Sequence, residues 1–400
     1  MLPDGASGRL LVPLPEVCRD VETEASGAAC TAGSEEGEVL KPGGPLSAGD
    51  MVEVRSREEV LQTLDARGQL EGLPFMPEMF AFCGQRFRVF KRAHKTCDTV
   101  NDYKGRRMKS AVHLEGIRCD GQSHGACQAG CLIFWKESWL RKVSDATADS
   151  RPLAGASLVE IAGVPMRPSG GCSEADVMAA TQRSSDGDGE DPTYVCQATQ
   201  VPAATEPLGW WELKQYIEDY TSGNNGLARM ARGFLYRGYQ NLIKSGIGLG
   251  PVLRWLYDAF QRSRGGVPYP AWNGTVRVGE RTPTDQLDLQ PGELVRVKDH
   301  ETILATCDQE SKNRGMTFDA EMVPYCGGSF QVLKRVTRII NERTGKMQVL
   351  SNPCIILDGV VCQSRYSACR LFCPRSIYPY WREIWLERLQ DSPDRAGRSG

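Results

Sequence analysis

The feature that most constrains this chain is that it matches itself. Glu78–Arg92 reads EMFAFCGQRFRVFKR and Glu321–Arg335 reads EMVPYCGGSFQVLKR. Eight of the 15 positions are identical without a gap, at an offset of 243 residues. The same offset pairs Gly49 with Gly292, Val52 with Val295, Val54 with Val297, Leu61 with Leu304, Gly116 with Gly359 and Cys119 with Cys362. With small gaps, WKESWL at Trp135–Leu140 matches WREIWL at Trp381–Leu386. Similarity at one period over such a span implies two diverged copies of one structural unit, covering 46–143 and 289–390.

Both units open alike, with LSAGDMVEVRS at Leu46 and LQPGELVRVKD at Leu289. A glycine turn leads into alternating apolar residues, which predicts a half-buried strand. This opening resembles the first strand of small SH3-like barrels. A short helix is expected over Glu58–Asp65 and Glu301–Asp308. Strands are expected around Phe87 and Val89 and around Phe330 and Val332, and hairpin turns at Gly105 and Gly345. A short helix at each WxExWL segment closes the unit. The expected fold class is α+β: two diverged copies of a small, mainly β, metal-stabilised domain with a helical insert between them.

Composition divides the rest of the chain. Residues 1–45 carry eight acidic and three basic side chains with few aromatics, and are expected to be a disordered acidic tail. Residues 144–207 read as an acidic flexible linker containing SSDGDGEDP at Ser184–Pro192. Residues 208–265 show helical periodicity in three stretches broken by SGNNG and GIGLGP. Leu227, Met230, Ala231, Phe234, Leu235, Leu242 and Ile243 mark one face of the second stretch, read here as core. Residues 266–288 form a second linker, and 391–400 a disordered tail.

The chain has 15 cysteines but four histidines. Eight of the cysteines fall into two sets, Cys83, Cys119, Cys127, Cys131 and Cys326, Cys362, Cys369, Cys373. Their spacings are C-x35-C-x7-C-x3-C and C-x35-C-x6-C-x3-C. Four thiolates retained through a duplication suit a tetrahedral structural zinc site, two zinc ions per chain. An iron–sulfur cluster also takes four thiolates, but the spacing follows none of the ferredoxin runs. Buried, unligated thiols are the plain alternative. His124 lies between Cys119 and Cys127 and can serve as a ligand or support one.

Unit one holds chemistry that unit two lacks. His94 precedes Cys97 by three residues among several cations, a setting that lowers a thiol pKa. An enzyme reading would therefore use Cys97 as nucleophile, His94 or His113 as base and Glu115 as orienting carboxylate. Residues 86–109 carry a net charge of +7, including Arg86, Arg88, Lys91, Arg92, Arg106 and Arg107. These could grip a single-stranded nucleic acid or RNA, or pair with acidic segments of the same chain. The overall charge of −2 excludes a globally basic nucleic-acid binder. No apolar run is long enough to span a membrane, and membrane-surface contact by the insert is not expected. With no secretory signal visible in Met1–Val17, the expected location is the cytoplasm. The expected function is a zinc-binding interaction or scaffold module that binds a protein partner. The alternatives are a metal- or cysteine-dependent enzyme and nucleic-acid binding.

Overall fold

A computed structural model describes residues 44–101, 104–143, 171–183, 191–246, 248–270, 273–277, 279–367 and 370–389. The tail expectations for 1–43 and 391–400, and the linker residues 144–170 and 184–190, lie outside the described residues. The fold is α+β.

The first sheet is antiparallel and orders its strands Trp135–Lys136, Ala111–Leu114, Arg86–Arg92, Met51–Val54, Leu140–Lys142. In Met51–Val54 the alternation places Val52 and Val54 fully inside, as a period of two on a one-sided sheet requires. The second sheet orders Met347–Leu357, Ser329–Ile340, Leu294–Val297, Leu386–Arg388. Its registers repeat those of the first. Val52 faces Phe87, and Val295 faces Phe330. Val54 faces Leu140, and Val297 faces Leu386. Val89 faces Leu114, and Val332 faces Leu357, each followed by a register shift at the next residue. The pairings among the described residues are open and close neither sheet into a barrel.

Each sheet covers an aromatic core. Phe75 packs edge-on against Trp135 and Trp139. Phe318 packs against Trp381 and Trp385 in the same way. The WxExWL segments form short 3-10 helices at Glu137–Trp139 and Glu383–Trp385. Helices Arg57–Leu61 and His300–Ala305 start where expected, capped by Ser56 and Asp299, whose side chains accept from backbone N–H groups three residues on. Gly345 occupies the turn between the two long strands with φ of 71°. Gly105 instead begins the strand Gly105–Met108, so its hairpin turns earlier.

Part of the expected linker is structured. Residues 171–183 and 191–207 carry helices Glu174–Ala179 and Gln197–Ala204, and Thr205–Pro207 pairs with Gly105–Met108. The buried Gln197 amide explains the docking. It donates to Pro74 O at 3.1 Å and Phe134 O at 2.8 Å and accepts from Phe134 N at 2.8 Å. One polar side chain thus satisfies backbone groups that would otherwise be stranded in the core. Acidic composition concealed this, because the docking side chain is neutral.

The insert forms three helices, Lys214–Thr221, Leu227–Lys244 and Gly250–Ser263. Its apolar stripe is not core. Met230 and Ile243 are buried, but Phe234, Leu235, Leu242 and Trp255 are exposed. No described helix is long and apolar enough to cross a membrane.

The two units touch through the segment 118–128. The Gln128 side-chain oxygen accepts from Thr337 N at 2.6 Å and Arg338 N at 3.2 Å, and Gln128 N donates to Arg338 O at 3.1 Å. Ile340 N donates to Cys127 Sγ at 3.4 Å. Arg118 donates to Ser376 O at 3.0 Å and stacks on Tyr378, 3.8 Å from the ring centre.

Candidate metal centre

Glu78 opens the 3-10 helix Pro77–Phe82, and Cys119 and His124 lie in the irregular segment that follows the strand Ala111–Leu114. Their donor atoms lie within 4.8 Å of one another. Cys119 Sγ–H donates to Glu78 Oε1 at 3.0 Å, and His124 Nδ1 stands 3.5 Å from the same oxygen. Tetrahedral zinc, with ~2.3 Å bonds to sulfur and ~2.0 Å bonds to nitrogen or oxygen, has ligand–ligand edges of roughly 3.3–3.6 Å. The His124–Glu78 separation falls within that range and the Cys119–Glu78 separation is a few tenths of an ångström shorter.

His124 Nε2 lies 3.1 Å from Val195 O. A carbonyl can only accept, so Nε2 carries a proton there, and Nδ1 faces Glu78 Oε1 either as a lone pair in the neutral ring or as a second N–H donor in the imidazolium. Both Nδ1 and Glu78 Oε2 are buried with no hydrogen-bond partner. The oxygen nearest Nδ1 is Oε1, which already accepts from Cys119, and Oε2 is the buried oxygen left over. The ring donating its far N–H to a backbone carbonyl is the usual support for a ligating histidine. Burial raises the Glu78 pKa, but hydrogen bonding and charge from His124, with the Cys119 contact, hold the carboxyl below its ordinary value. Burial and the neighbouring Glu78 push the Cys119 thiol far up, so a bound cation is what would make it a thiolate.

The two four-cysteine sets do not assemble as expected. Among the described residues, Glu78, Cys119 and His124 form the one group of three or more such donors. Cys83 caps the C-terminal end of the helix that Glu78 opens. Cys83 is not part of that group. Cys83 is pushed up to about 11 by burial, and its charged neighbours are Arg57, Glu58 and Glu174. Cys127 accepts from Ile340, and the Cys131 carbonyl accepts from Cys119 N at 2.8 Å. In unit two, Cys326 is isolated by burial, Cys362 Sγ lies 3.5 Å from Ser364 Oγ, and Cys373 pairs with Cys97. Cys369 lies outside the described residues. Glu321, the counterpart of Glu78, accepts from Tyr366 N at 2.6 Å and Ser367 N at 3.1 Å. Backbone donors there occupy the carboxylate oxygen that faces Cys119 and His124 in unit one. Sequence reasoning missed Glu78, although its identity with Glu321 in the repeat was the available signal.

The proposed catalytic residues are not brought together. His94 Nε2 lies 3.2 Å from Gln215 O and 3.4 Å from Asp219 Oδ1. His113 Nδ1 lies 2.8 Å from Ile133 O, and Glu115 is exposed. The Cys97 thiol is raised rather than lowered, first by its hydrogen bond to Cys373 and then by burial. The cations that would lower it are outweighed. The basic residues are spent within the chain. Arg86 pairs with Glu53 at 3.2 Å, Arg92 with Glu137 at 2.5 Å and Glu218 at 3.1 Å, and Arg107 with Glu212 at 2.5 Å. Arg106 reaches Asp98 and the carbonyls of Pro202 and Thr205, and Arg88 donates to Gly49 O at 2.8 Å. Lys91 lies over the Phe90 ring. No family model, curated protein or solved structure matches this chain.

Proposed function

We propose that the chain is a zinc-binding interaction protein built from two diverged copies of one module, of which only the first holds an ion. The observation that carries this reading is the close Glu78–Cys119–His124 triad, with His124 buried and the other two half-buried. Carboxylate, thiolate and imidazole together suit zinc. The matched registers of the two sheets support the duplication.

The metal's role is to order a loop. Residues 119–131 contain no helix or strand, so little else fixes their shape. An ion held by Glu78, Cys119 and His124 would staple this loop to the first core, and the loop's Cys127 and Gln128 dock the second unit. Zinc thus sets how the two units are held together.

The test is elemental analysis of the purified protein. We expect about one zinc per chain, half the content of a two-site, eight-cysteine arrangement. Glu78→Gln, Cys119→Ser and His124→Ala should each lose it, whereas Cys83→Ser and Cys326→Ser should keep it. Retention in a His124→Ala/Cys119→Ser double variant, or absence from the wild type, would overturn the reading.

A further inference from the structure

We propose that Cys97 and Cys373 form a peroxide-reactive site. Cys373 attacks hydrogen peroxide, and Cys97 closes the resulting sulfenic acid into a disulfide that joins the two units.

The docking of the units brings this pair together. Cys97 ends the strand Lys95–Cys97 of unit one. Cys373 sits in a turn of unit two, where its N–H donates to Arg370 O at 3.0 Å. Arg375, two residues on, reaches across to Cys97 O at 3.2 Å and Thr99 Oγ1 at 2.8 Å. These bonds hold the backbone of one cysteine against the segment that carries the other. Cys97 is 2% exposed and Cys373 4%, so neither thiol can meet a macromolecule or a tripeptide disulfide.

A small oxidant has a way in. Lys95, Thr96, Trp210, Arg370 and Cys373 line one partly enclosed cleft where unit one, the insert and unit two meet. Trp210 is 53% exposed and opens the cleft to solvent. Thr96 Oγ1 is buried with no hydrogen-bond partner. A hydroxyl can both donate and accept, which suits a molecule of two O–H groups. The Lys95 ammonium is taken by Asp219 at 2.5 Å. Arg370 is the cation of the cleft: burial opposes its charge, but Asp319, Cys362 and Cys97 hold it protonated. A guanidinium there favours the attacking thiolate and the hydroxide that leaves.

The acidities divide as this chemistry needs. The contact with Cys97 outweighs burial and, with the Arg375 backbone N–H, brings Cys373 down to about 7, while the same contact and burial raise Cys97. Burial pushes the nearby Cys362 thiol up to about 12. In the first step a Cys373 sulfur lone pair attacks one peroxide oxygen. An S–O bond forms, the O–O bond breaks, and the second oxygen leaves as hydroxide. Cys97 gives its proton to that hydroxide, forming water, and its sulfur attacks the Cys373 sulfur. The S–S bond forms, the S–O bond breaks and hydroxide leaves. The two sulfurs together lose two electrons, and one peroxide gains them.

The test treats the reduced full-length protein with hydrogen peroxide, blocks the remaining thiols with N-ethylmaleimide and maps peptides by mass spectrometry without reduction. We expect the Cys97–Cys373 disulfide to form ahead of any other. Cys97→Ser keeps a hydroxyl donor beside Cys373, which should then stop at the sulfenic acid and take up dimedone. In Cys373→Ser, oxidation of Cys97 should slow at least tenfold. Oxidised glutathione should join the pair at least tenfold more slowly than peroxide at the same concentration. The wild-type map needs no substitution, so it decides the matter even if a variant fails to fold. A first disulfide elsewhere, such as Cys362–Cys373, overturns the proposal. So does a pair that stays reduced while other thiols oxidise, or one that oxidised glutathione joins as fast as peroxide does.

Discussion

Cys97 and Cys373, one from each unit, are buried beside each other and their thiols influence one another's acidity. Both are buried, and Arg375 locks the contact by donating to Cys97 O at 3.2 Å and Thr99 Oγ1 at 2.8 Å. The shared proton separates the two acids. Cys97 is pushed well above an ordinary thiol, and the bond, outweighing burial, brings Cys373 down to about 7.

Cys373 should therefore be the thiolate of the pair at neutral pH. Thiolate is the form that alkylates. With iodoacetamide and peptide mass spectrometry, Cys373 should label ahead of Cys97, with a half-point near pH 7. Cys97→Ala removes the donor and should move that half-point upward by a pH unit or more. An unchanged profile in the variant would show that the contact does not govern Cys373.

Such a contact was not legible in the sequence, and the reason is general to this chain. Val52 and Val54 announce their strand by alternation, and Trp139 and Trp385 announce a shared frame by their common motif. These are local or repeated signals. Cys97 has no counterpart in unit two, and what it meets depends on how the units dock. Glu78 was visible in the repeat but gave no hint that His124 would turn toward it. The helices of the insert were readable from periodicity, whereas which of their faces would be covered was not. Periodicity shows that a face is apolar, and only tertiary packing decides whether anything lies on it.

The insert is tied to unit one by a buried ion pair. Lys95 Nζ lies 2.5 Å from Asp219 Oδ2, and both side chains are almost completely enclosed. Burial lowers the Lys95 pKa, with Asp219 pulling the other way. Asp219→Asn should destabilise the protein by about 3–5 kcal/mol, because it strands a buried ammonium. Chemical denaturation measures this. Lys95→Met/Asp219→Leu should recover part of the loss, since it removes both charges beside the Tyr216 and Phe372 rings, while His94 and Asn225 lose the Asp219 Oδ1 acceptor. A double variant as unstable as Asp219→Asn would mean that the pair does more than satisfy itself.

His113 gives the fold a pH dependence of definite sign. Burial, against its hydrogen bond to Ile133 O, lowers its pKa from 6.5 to about 3. Between those values the unfolded chain binds a proton that the folded chain refuses. Stability should therefore fall as pH drops from 6.5 toward 3, by at most ~4–5 kcal/mol from this group. Above 6.5 the group contributes no slope. His113→Asn keeps an amide donor for Ile133 O but cannot titrate, so its stability–pH curve should be flatter over that window. Equal slopes for the variant and wild type would assign the acid sensitivity to other groups.

The matching registers of the two sheets lead to a paired prediction about two hydrogen bonds. Trp139 Nε1 donates to Thr63 Oγ1 at 3.0 Å, and Trp385 Nε1 donates to Thr306 Oγ1 at 2.9 Å. In each unit the ring is buried and the threonine ends the short helix that leaves the first strand. Replacing either threonine with valine preserves shape but leaves an indole N–H without its acceptor. Each change should cost about 1–3 kcal/mol. The two costs should agree within ~0.5 kcal/mol and add in the double variant, because the sites are far apart and share no partner. Denaturant titration of the single and double variants gives both comparisons. If Thr63→Val is costly and Thr306→Val is silent, the two bonds are not equivalent parts of one repeated frame, and the resemblance of the units ends at their backbones.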